Sequence, residues 1–445
     1  MKISKMFLAG AMVLSMGLVG CSSNSAEAKE DLTGTYSVCI QGYDWGCGVT
    51  KAIVSFDGLV SSVDADDLKV EETKQNTDWT DTTFPVVEQT TERTVTDAYV
   101  SDENGEKTDG DSTYVTLEMS VDPNTGSPLL FSMSTQLNTW SDPYKLNISL
   151  NDGSGMTSGD YTVKSVTVDE TMTGKTTSAD AFSTDSYTAE DGVTYNYAKW
   201  SPEEDSRTLV VWLHGLGEGG TENTDPYVTT LANKVTALIG DEFQETIGNA
   251  HVLVPQCPTF WMDNDGKSGN FENGAINADG TSYYTESLHE LINSYKEEVG
   301  AEKVIIAGCS NGGYMTMLMA KNYGDEYTAY VPICEALPDE YVTDEDIKTF
   351  ASVPMYFIYS EDDGTVDPTK HEIPTIKRIK AAGAEDIHVS TTEHVIDESG
   401  EYNDLNDGNA YQYNGHWSWI YFDNNSSTCD DHGEKVWDWM ASEVK

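Results

Sequence analysis

The sequence predicts two domains in tandem, an all-β sandwich followed by an α/β domain whose mostly parallel sheet is covered by helices on both faces. Three observations predict this. Residues 31–187 are short alternating runs rich in Thr, Val, Ser, Asp and Gly, with no long amphipathic helical stretch. Residues 188–445 instead alternate apolar runs of strand length with segments of helical spacing, the signature of a parallel sheet buried on both faces. The 445 residues exceed what one core usually organises, and 38% hydrophobic content supplies material for two.

The first twenty residues read as a targeting segment. Lys2 and Lys5 precede an apolar run, Met6 to Val19, that is too short to anchor in a bilayer. The run ends in Leu18-Val19-Gly20-Cys21, which resembles a bacterial lipoprotein signal. That resemblance implies cleavage before Cys21 and acylation of its thiol. Residues 21–30, polar and small, read as a flexible tether. The expected location is the extracellular face of a bacterial membrane, with membrane contact only through the lipid at Cys21. An oxidising space would allow a Cys39–Cys47 bridge, with buried free thiols as the alternative.

In the β half, strands are expected over Thr50–Phe56, Arg93–Val100, Ser112–Val121, Pro128–Met133, Lys145–Leu150 and Tyr161–Val168. Turn signals such as Glu103-Asn104-Gly105 and Asn151-Asp152-Gly153 separate them. The segment Thr73 to Thr91, rich in Thr and acids, reads as a loop or edge. The pattern resembles an immunoglobulin-like sandwich. No residue set in this half looks catalytic.

In the α/β half, strands are expected at Thr208–Leu213, Asn249–Pro255, Lys303–Ala307, Ala329–Ile333, Pro354–Tyr359 and Ile387–Thr392. Helices are expected over Glu286–Val299, after Ser310, near Ile373–Ala382 and over Gly433–Val444. Gly308-Cys309-Ser310-Asn311-Gly312 therefore stands between a strand and a helix, the context a nucleophilic serine needs. A sharp turn there leaves no room for side chains at Gly308 and Gly312. The following helix N-terminus favours negative charge at Ser310. The backbone N–H of Asn311 is one expected oxyanion donor. The Gly-rich loop His214 to Gly220 supplies the other, assigned to Leu216, with His214 orienting the loop rather than acting as a base.

The acid is expected after the strand ending at Tyr359, within Ser360-Glu361-Asp362-Asp363-Gly364. Asp363 is best placed, and Asp362 is second. The base is expected between the last strand and the last helix, at His416, with His394 second. His388 falls in a strand, and His371 follows the acid too closely. Trp261 and Trp417 are candidate substrate contacts. Around the polar stretch Met262 to Tyr284, Trp261, Phe271, Tyr283 and Tyr284 could wall a pocket or simply pack under a loop. Asp263-Asn264-Asp265-Gly266 opens like a calcium loop, but Lys267 occupies the next ligand position and the terminal Glu is missing. No CxxC or Cys/His spacing suggests zinc. Neither metal nor cofactor is expected.

LHGLGEGGTEN (213–223), VLVPQCPTFW (252–261), VIIAGCSNGGYMT (304–316), VPMYFIYSEDDGTVDP (353–368) and GHWSW (415–419) together resemble secreted bacterial esterases. The family is the prolyl-oligopeptidase-like and polyhydroxybutyrate-depolymerase-like branch of the α/β-hydrolase superfamily. The motifs run in order across almost all of residues 205–440. The resemblance implies an α/β-hydrolase catalytic domain with Ser310, Asp363 and His416 as its triad. Residues 31–187 resemble, more loosely, the immunoglobulin-like domain that precedes some of these esterases. Cys309 and Asn311 depart from the residues often found beside the nucleophile, yet neither removes a backbone donor.

With 76 acidic and 25 basic residues the formal net charge is −51, which disfavours nucleic acid, anionic membranes and polyanionic substrates. Three functions remain. One is a carboxylic-ester hydrolase, acting on acetyl or feruloyl groups of polysaccharide or on short-chain esters. A second is a serine peptidase with the same triad, although the N-terminal half lacks the repeats of a propeller. A third, a binding protein on an inactive scaffold, requires a broken triad.

Overall fold

The computed structural model describes residues 26–220, 225–267, 277–403 and 408–445. The expected signal segment, Cys21 and Phe271 lie outside the described residues. Among the described residues no helix is long and apolar enough to cross a membrane.

The N-terminal half is a two-layer sandwich. Its larger sheet orders strands Ser165–Val168, Asp31–Tyr43, Gly46–Val60, Ser112–Met119 and Val95–Ser101, with Gly174–Thr177 also pairing with Asp31–Tyr43. The smaller sheet orders Val86–Arg93, Leu68–Thr77 and Tyr144–Leu150. Alternation drives the closure: Tyr36, Val38, Val54, Val115 and Leu117 of one sheet bury against Val70, Leu146 and Ile148 of the other.

Two expectations change here, and a third holds in part. Thr73 to Thr91 is loop and edge strand over most of its length, with Val86–Arg93 at the edge, but residues 73–77 belong to Leu68–Thr77, the central strand of that sheet. Residues 27–30 are not a free tether. The Leu59 N–H donates to the Glu27 carbonyl at 3.1 Å, and the Lys29 N–H donates to Ser158 Oγ at 2.8 Å. Cys39 and Cys47 do not bridge; both are free thiols. The hairpin register sets Cys39 opposite Lys51 and Cys47 opposite Gly42. Cys47 faces the core, whereas Cys39 sits on the outer face beside the Thr176 hydroxyl.

The second half carries an eight-stranded sheet. Its spatial order is Ser183–Thr188, Thr194–Trp200, His251–Gln256, Thr208–Leu213, Lys303–Cys309, Ala329–Ile333, Met355–Ser360 and Ile387–Thr392. The sheet thus begins a few residues before the expected boundary at 187. Thr194–Trp200 runs antiparallel to both its neighbours, and the remaining pairs are parallel. The core strands are buried end to end, so their sequences read as continuous apolar runs. One core cluster packs Leu288, Ile292 and Tyr295 of the helix Thr285–Val299 on one face. Another packs Trp437 and Trp439 of the helix Val436–Glu443 on the opposite face. The chain reverses its direction of sheet growth between Thr208–Leu213 and Lys303–Cys309. Ligand sites in open α/β sheets form at the carboxyl ends of strands at such a switch point.

The two halves share buried surface. Val228 and Leu231 of the short helix Tyr227–Leu231 enter the sandwich core. Trp45, at the tip of the first hairpin, packs with Val395, Tyr413, Ile420 and Tyr421.

Candidate active site

Ser310 sits at the switch point, between the strand Lys303–Cys309 and the helix Asn311–Tyr323. Its backbone has φ 55° and ψ −114°, a conformation that costs free energy for a residue with a Cβ. Close packing holds it there. The Ser310 N–H donates to the Ile333 carbonyl at 2.9 Å. A Cβ on Gly308 would lie 2.7 Å from the Gly312 carbonyl oxygen, and one on Gly312 would collide with the Leu213 carbonyl. The glycines are therefore demanded by close approach of backbone to backbone.

His416 joins Ser310 to Asp363. Its Nε2 is 2.8 Å from Ser310 Oγ and its Nδ1 is 2.7 Å from Asp363 Oδ2. The other oxygen of Asp363, Oδ1, accepts the N–H groups of Thr365 and Val366, each at 2.8 Å. A carboxylate so held is acceptor only, which puts the imidazole proton on Nδ1 and leaves Nε2 free to accept from the serine. Asp363 and His416 are 6% and 8% exposed, so water hardly competes for these contacts, while Ser310 is reachable.

The two second choices from sequence, Asp362 and His394, pair with each other. His394 Nδ1 lies 2.7 Å from Asp362 Oδ2 at the surface. The Asp362 hydrogen bond raises the pKa of His394. That ion pair does not include Ser310.

Leu216 opens a short 3-10 helix, Leu216–Glu218, and Asn311 opens the helix after Ser310. First-turn amides have no acceptor within their own helix. The strands leading to the two are hydrogen-bonded neighbours, with Leu213 opposite Gly308. His214 is fully buried. Its Nδ1 contacts the Gly215 carbonyl at 2.6 Å, and its Nε2 accepts the Cys257 N–H at 2.9 Å. Burial lowers its pKa to about 4, so the ring is neutral and spans the loop.

Trp261 does not line open surface. Its side chain is fully buried, stacked on Tyr195, and its indole N–H donates to the His214 carbonyl at 3.2 Å. Its backbone N–H donates to Asn311 Oδ1 at 2.8 Å. It therefore packs beneath the loop His214 to Gly220, which corrects its candidacy as a substrate contact in favour of the packing alternative. Tyr284 is core as well, whereas Tyr283 is exposed. Trp417, beside His416, is half-buried in a ring cluster with Tyr413 and Trp419. The carboxylate of Asp263 accepts the Asp265 and Gly266 N–H groups and the Thr259 hydroxyl, so its oxygens serve the turn.

Sequence reasoning missed two groups around this site. Glu335 and Glu372 are buried carboxyls near Asp363, and their only local signal is an acid set among apolar residues in Cys334-Glu335-Ala336-Leu337. Asn138 of the sandwich reaches Glu218 of the loop His214 to Gly220 at 2.8 Å, a contact invisible without the fold.

Residues 35–161 match the family model described as an esterase Ig-like N-terminal domain. Residues 198–400 match the phospholipase/carboxylesterase model. No curated protein matches the sequence. Among solved structures, a thermostable esterase superposes with a TM-score of 0.64 at 19% identity, covering 89% of this chain and 97% of its own. A ferulic acid esterase overlaps in part, with a TM-score of 0.35 at 14% identity, covering 47% of this chain and 90% of its own. For an acylaminoacyl peptidase the TM-score is 0.34 at 13% identity, with 63% and 46% covered. With both family models matched in order, the protein is an esterase-like hydrolase of the α/β-hydrolase superfamily, fronted by an esterase-type immunoglobulin-like domain.

Proposed function

We propose that the protein hydrolyses neutral carboxylic esters through an acyl-enzyme on Ser310, with His416 as base and Asp363 as its partner. The observation that carries this reading is His416 bridging Ser310 Oγ at 2.8 Å and Asp363 Oδ2 at 2.7 Å. Ser310 Oγ attacks the ester carbonyl and its proton passes to His416 Nε2. The imidazolium so formed is stabilised by Asp363, whose charge is fixed by two backbone N–H groups. The oxyanion falls to the N–H groups of Leu216 and Asn311, donors worth about 3–4 kcal/mol each in such sites. His416 returns the proton to the leaving alcohol. Water, deprotonated by the same ring, then releases the acid.

The net charge of −51 favours uncharged esters over anionic ones. Acetyl or feruloyl esters of polysaccharide and short-chain esters fit that condition. The lipoprotein-like segment ending at Cys21 supports action at the outer face of a bacterial membrane. The test compares the protein with Ser310→Ala on p-nitrophenyl acetate, a feruloyl ester and a proline-containing peptide anilide. Ester turnover that vanishes in the variant, with the anilide untouched, is the expected result. Dominant anilide cleavage would make the protein a peptidase, and turnover indifferent to Ser310→Ala would remove the mechanism.

A further inference from the structure

At the outer edge of the catalytic sheet stands a second constellation, unconnected with Ser310. His388, in the edge strand Ile387–Thr392, meets Cys429 and His432 so that one donor atom from each lies within 4.8 Å of the others. Cys429 and His432 belong to one tight turn. The Gly433 N–H donates to the Cys429 carbonyl at 2.7 Å, and the Cys429 N–H donates to the Glu434 carbonyl at 2.8 Å. This turn is tied to the strand. The Asp430 N–H donates to the Val389 carbonyl at 2.8 Å, and the Asp430 carboxylate accepts the Thr391 N–H at 3.1 Å and its hydroxyl at 2.7 Å.

His388 is held as a ligand is held. Its Nε2 lies 2.8 Å from Asp386 Oδ1, an oxygen that also accepts the Trp439 indole N–H at 3.1 Å. Its ring stacks on Tyr356 at 5.7 Å. With the proton on Nε2, Nδ1 carries a lone pair, and that atom is buried without a hydrogen-bond partner. An acceptor left so is costly unless something else uses it. His432 also has a carboxylate on its ring, with Nε2 3.2 Å from Glu434 Oε2. A carboxylate behind each imidazole is the arrangement that orients metal-bound histidines and raises their basicity. The Cys429 thiol is buried and free, and a cavity of about 760 Å³ lined by Cys429, Asp430 and His432 gives access.

We propose that His388, Cys429 and His432 form a three-ligand site for a divalent transition metal of the zinc class. One thiolate and two imidazoles suit zinc and disfavour calcium and magnesium, which take oxygen. The Cys429 thiol loses its proton to solvent as the metal–sulfur bond forms. Three protein ligands would leave a fourth position for water. The metal staples the turn before the last helix to the edge of the sheet. In the sequence only Cys429-Asp430-Asp431-His432 hints at it, a Cys-x-x-His pair too short to stand alone; His388 lies 41 residues before Cys429 (429 − 388), and the pairing of turn with strand brings it in.

The test titrates chelator-treated protein with Zn²⁺ and, separately, Co²⁺. One equivalent should bind, Tm should rise by on the order of 5 °C with zinc, and the cobalt form should show a thiolate-to-metal charge-transfer band. Exposed His432 is the safe position to vary: His432→Ala removes a ligand itself, so it should weaken binding by more than the roughly 100-fold that loss of a partner behind a ligand costs, while ester turnover stays unchanged. Cys429→Ser should abolish the charge-transfer band. Weak binding of several equivalents, cobalt bound without that band, or affinity unchanged in His432→Ala would each overturn the site.

Discussion

Asn138, in the sandwich strand Leu137–Trp140, donates its side-chain N–H to Glu218 Oε1 at 2.8 Å and so holds the loop that carries Leu216. Glu218 is buried, and burial pushes its carboxyl up to about 7 despite the Asn138 hydrogen bond, which pulls it down. A Cβ on Gly217 would sit 2.5 Å from Asn138 Nδ2, so loop and strand are in close contact. The N-terminal domain thereby supports the loop of Leu216, and under the proposed mechanism a shift of a few tenths of an ångström there weakens hydrogen bonds that matter only in the transition state. Asn138→Ala should lower kcat by about 10-fold with KM nearly unchanged, because the loss falls on the transition state. Steady-state kinetics with a circular-dichroism check of folding decides it. Unchanged kcat would leave the sandwich as a spacer.

Adjacent carboxylates Asp362 and Asp363 have different partners, so they should respond differently to the same isosteric change. Asp363→Asn removes the acceptor that fixes the His416 tautomer, and kcat should fall by about 10³–10⁴-fold. Asp362→Asn disturbs an exposed pair with His394, worth little in water, and should leave turnover within about 3-fold. Equal losses in the two variants would show that Asp362 and His394 share in the chemistry.

This pair also shows what the sequence could and could not convey. The strand–turn–helix around Ser310 is a local signal, since its glycines are forced by contacts within a few residues and with the neighbouring strand. Ranking Asp363 over Asp362 drew on its place before a Gly-Thr-Val turn, and the Thr365 and Val366 amides do cap it. For Trp261 the sequence leaves substrate contact and packing both open, because an aromatic after a strand end looks the same whether it faces substrate or the His214 carbonyl. The hairpin within Thr73 to Thr91 carries little apolar alternation, because one face of Val86–Arg93 is exposed and the other, with Val87 and Gln89, is only part-buried. The Cys39–Cys47 expectation failed for want of the register, which places the two on opposite faces.

Glu335 and Glu372 predict an unusual dependence of stability on pH. Burial raises both carboxyl pKa values, Glu335 to about 8, and the neighbouring Glu335 raises Glu372 further. Glu335 Oε2 accepts the Leu337 N–H at 2.6 Å, but the remaining three oxygens of the pair have no partner. The folded protein therefore keeps protons that the unfolded chain releases above about pH 4.5. Because the native state binds more protons in that window, stability falls as pH rises from about 4.5 through 8, by a few kcal/mol at most. Glu335→Gln, neutral at every pH, should flatten the decline. Urea denaturation at pH 5, 6.5 and 8 measures it, and parallel slopes for the two proteins would show that the pair is ionised in the native state.

The sandwich core contains a buried ion pair whose removal separates charge from packing. Arg93 Nη1 lies 2.6 Å from Glu72 Oε2, with both side chains almost fully buried. Nη2 donates to the Val49 and Ser120 carbonyls at 2.9 Å each, and the Tyr144 hydroxyl donates to Glu72 Oε2 at 2.8 Å. Arg93 thus ties the two sheets together through the backbone of one and a side chain of the other. Arg93→Ala leaves Glu72 charged and unpaired in the core, and should destabilise the protein by about 3–5 kcal/mol. Replacing both, Arg93→Met with Glu72→Leu, removes the charges together and refills the volume. The double variant should recover more than half of that loss, limited by the two carbonyls and the Tyr144 hydroxyl left unpaired. Thermal denaturation of the two variants decides between the terms. A double variant no more stable than Arg93→Ala would place the cost in the carbonyl contacts of Arg93 rather than in the stranded carboxylate.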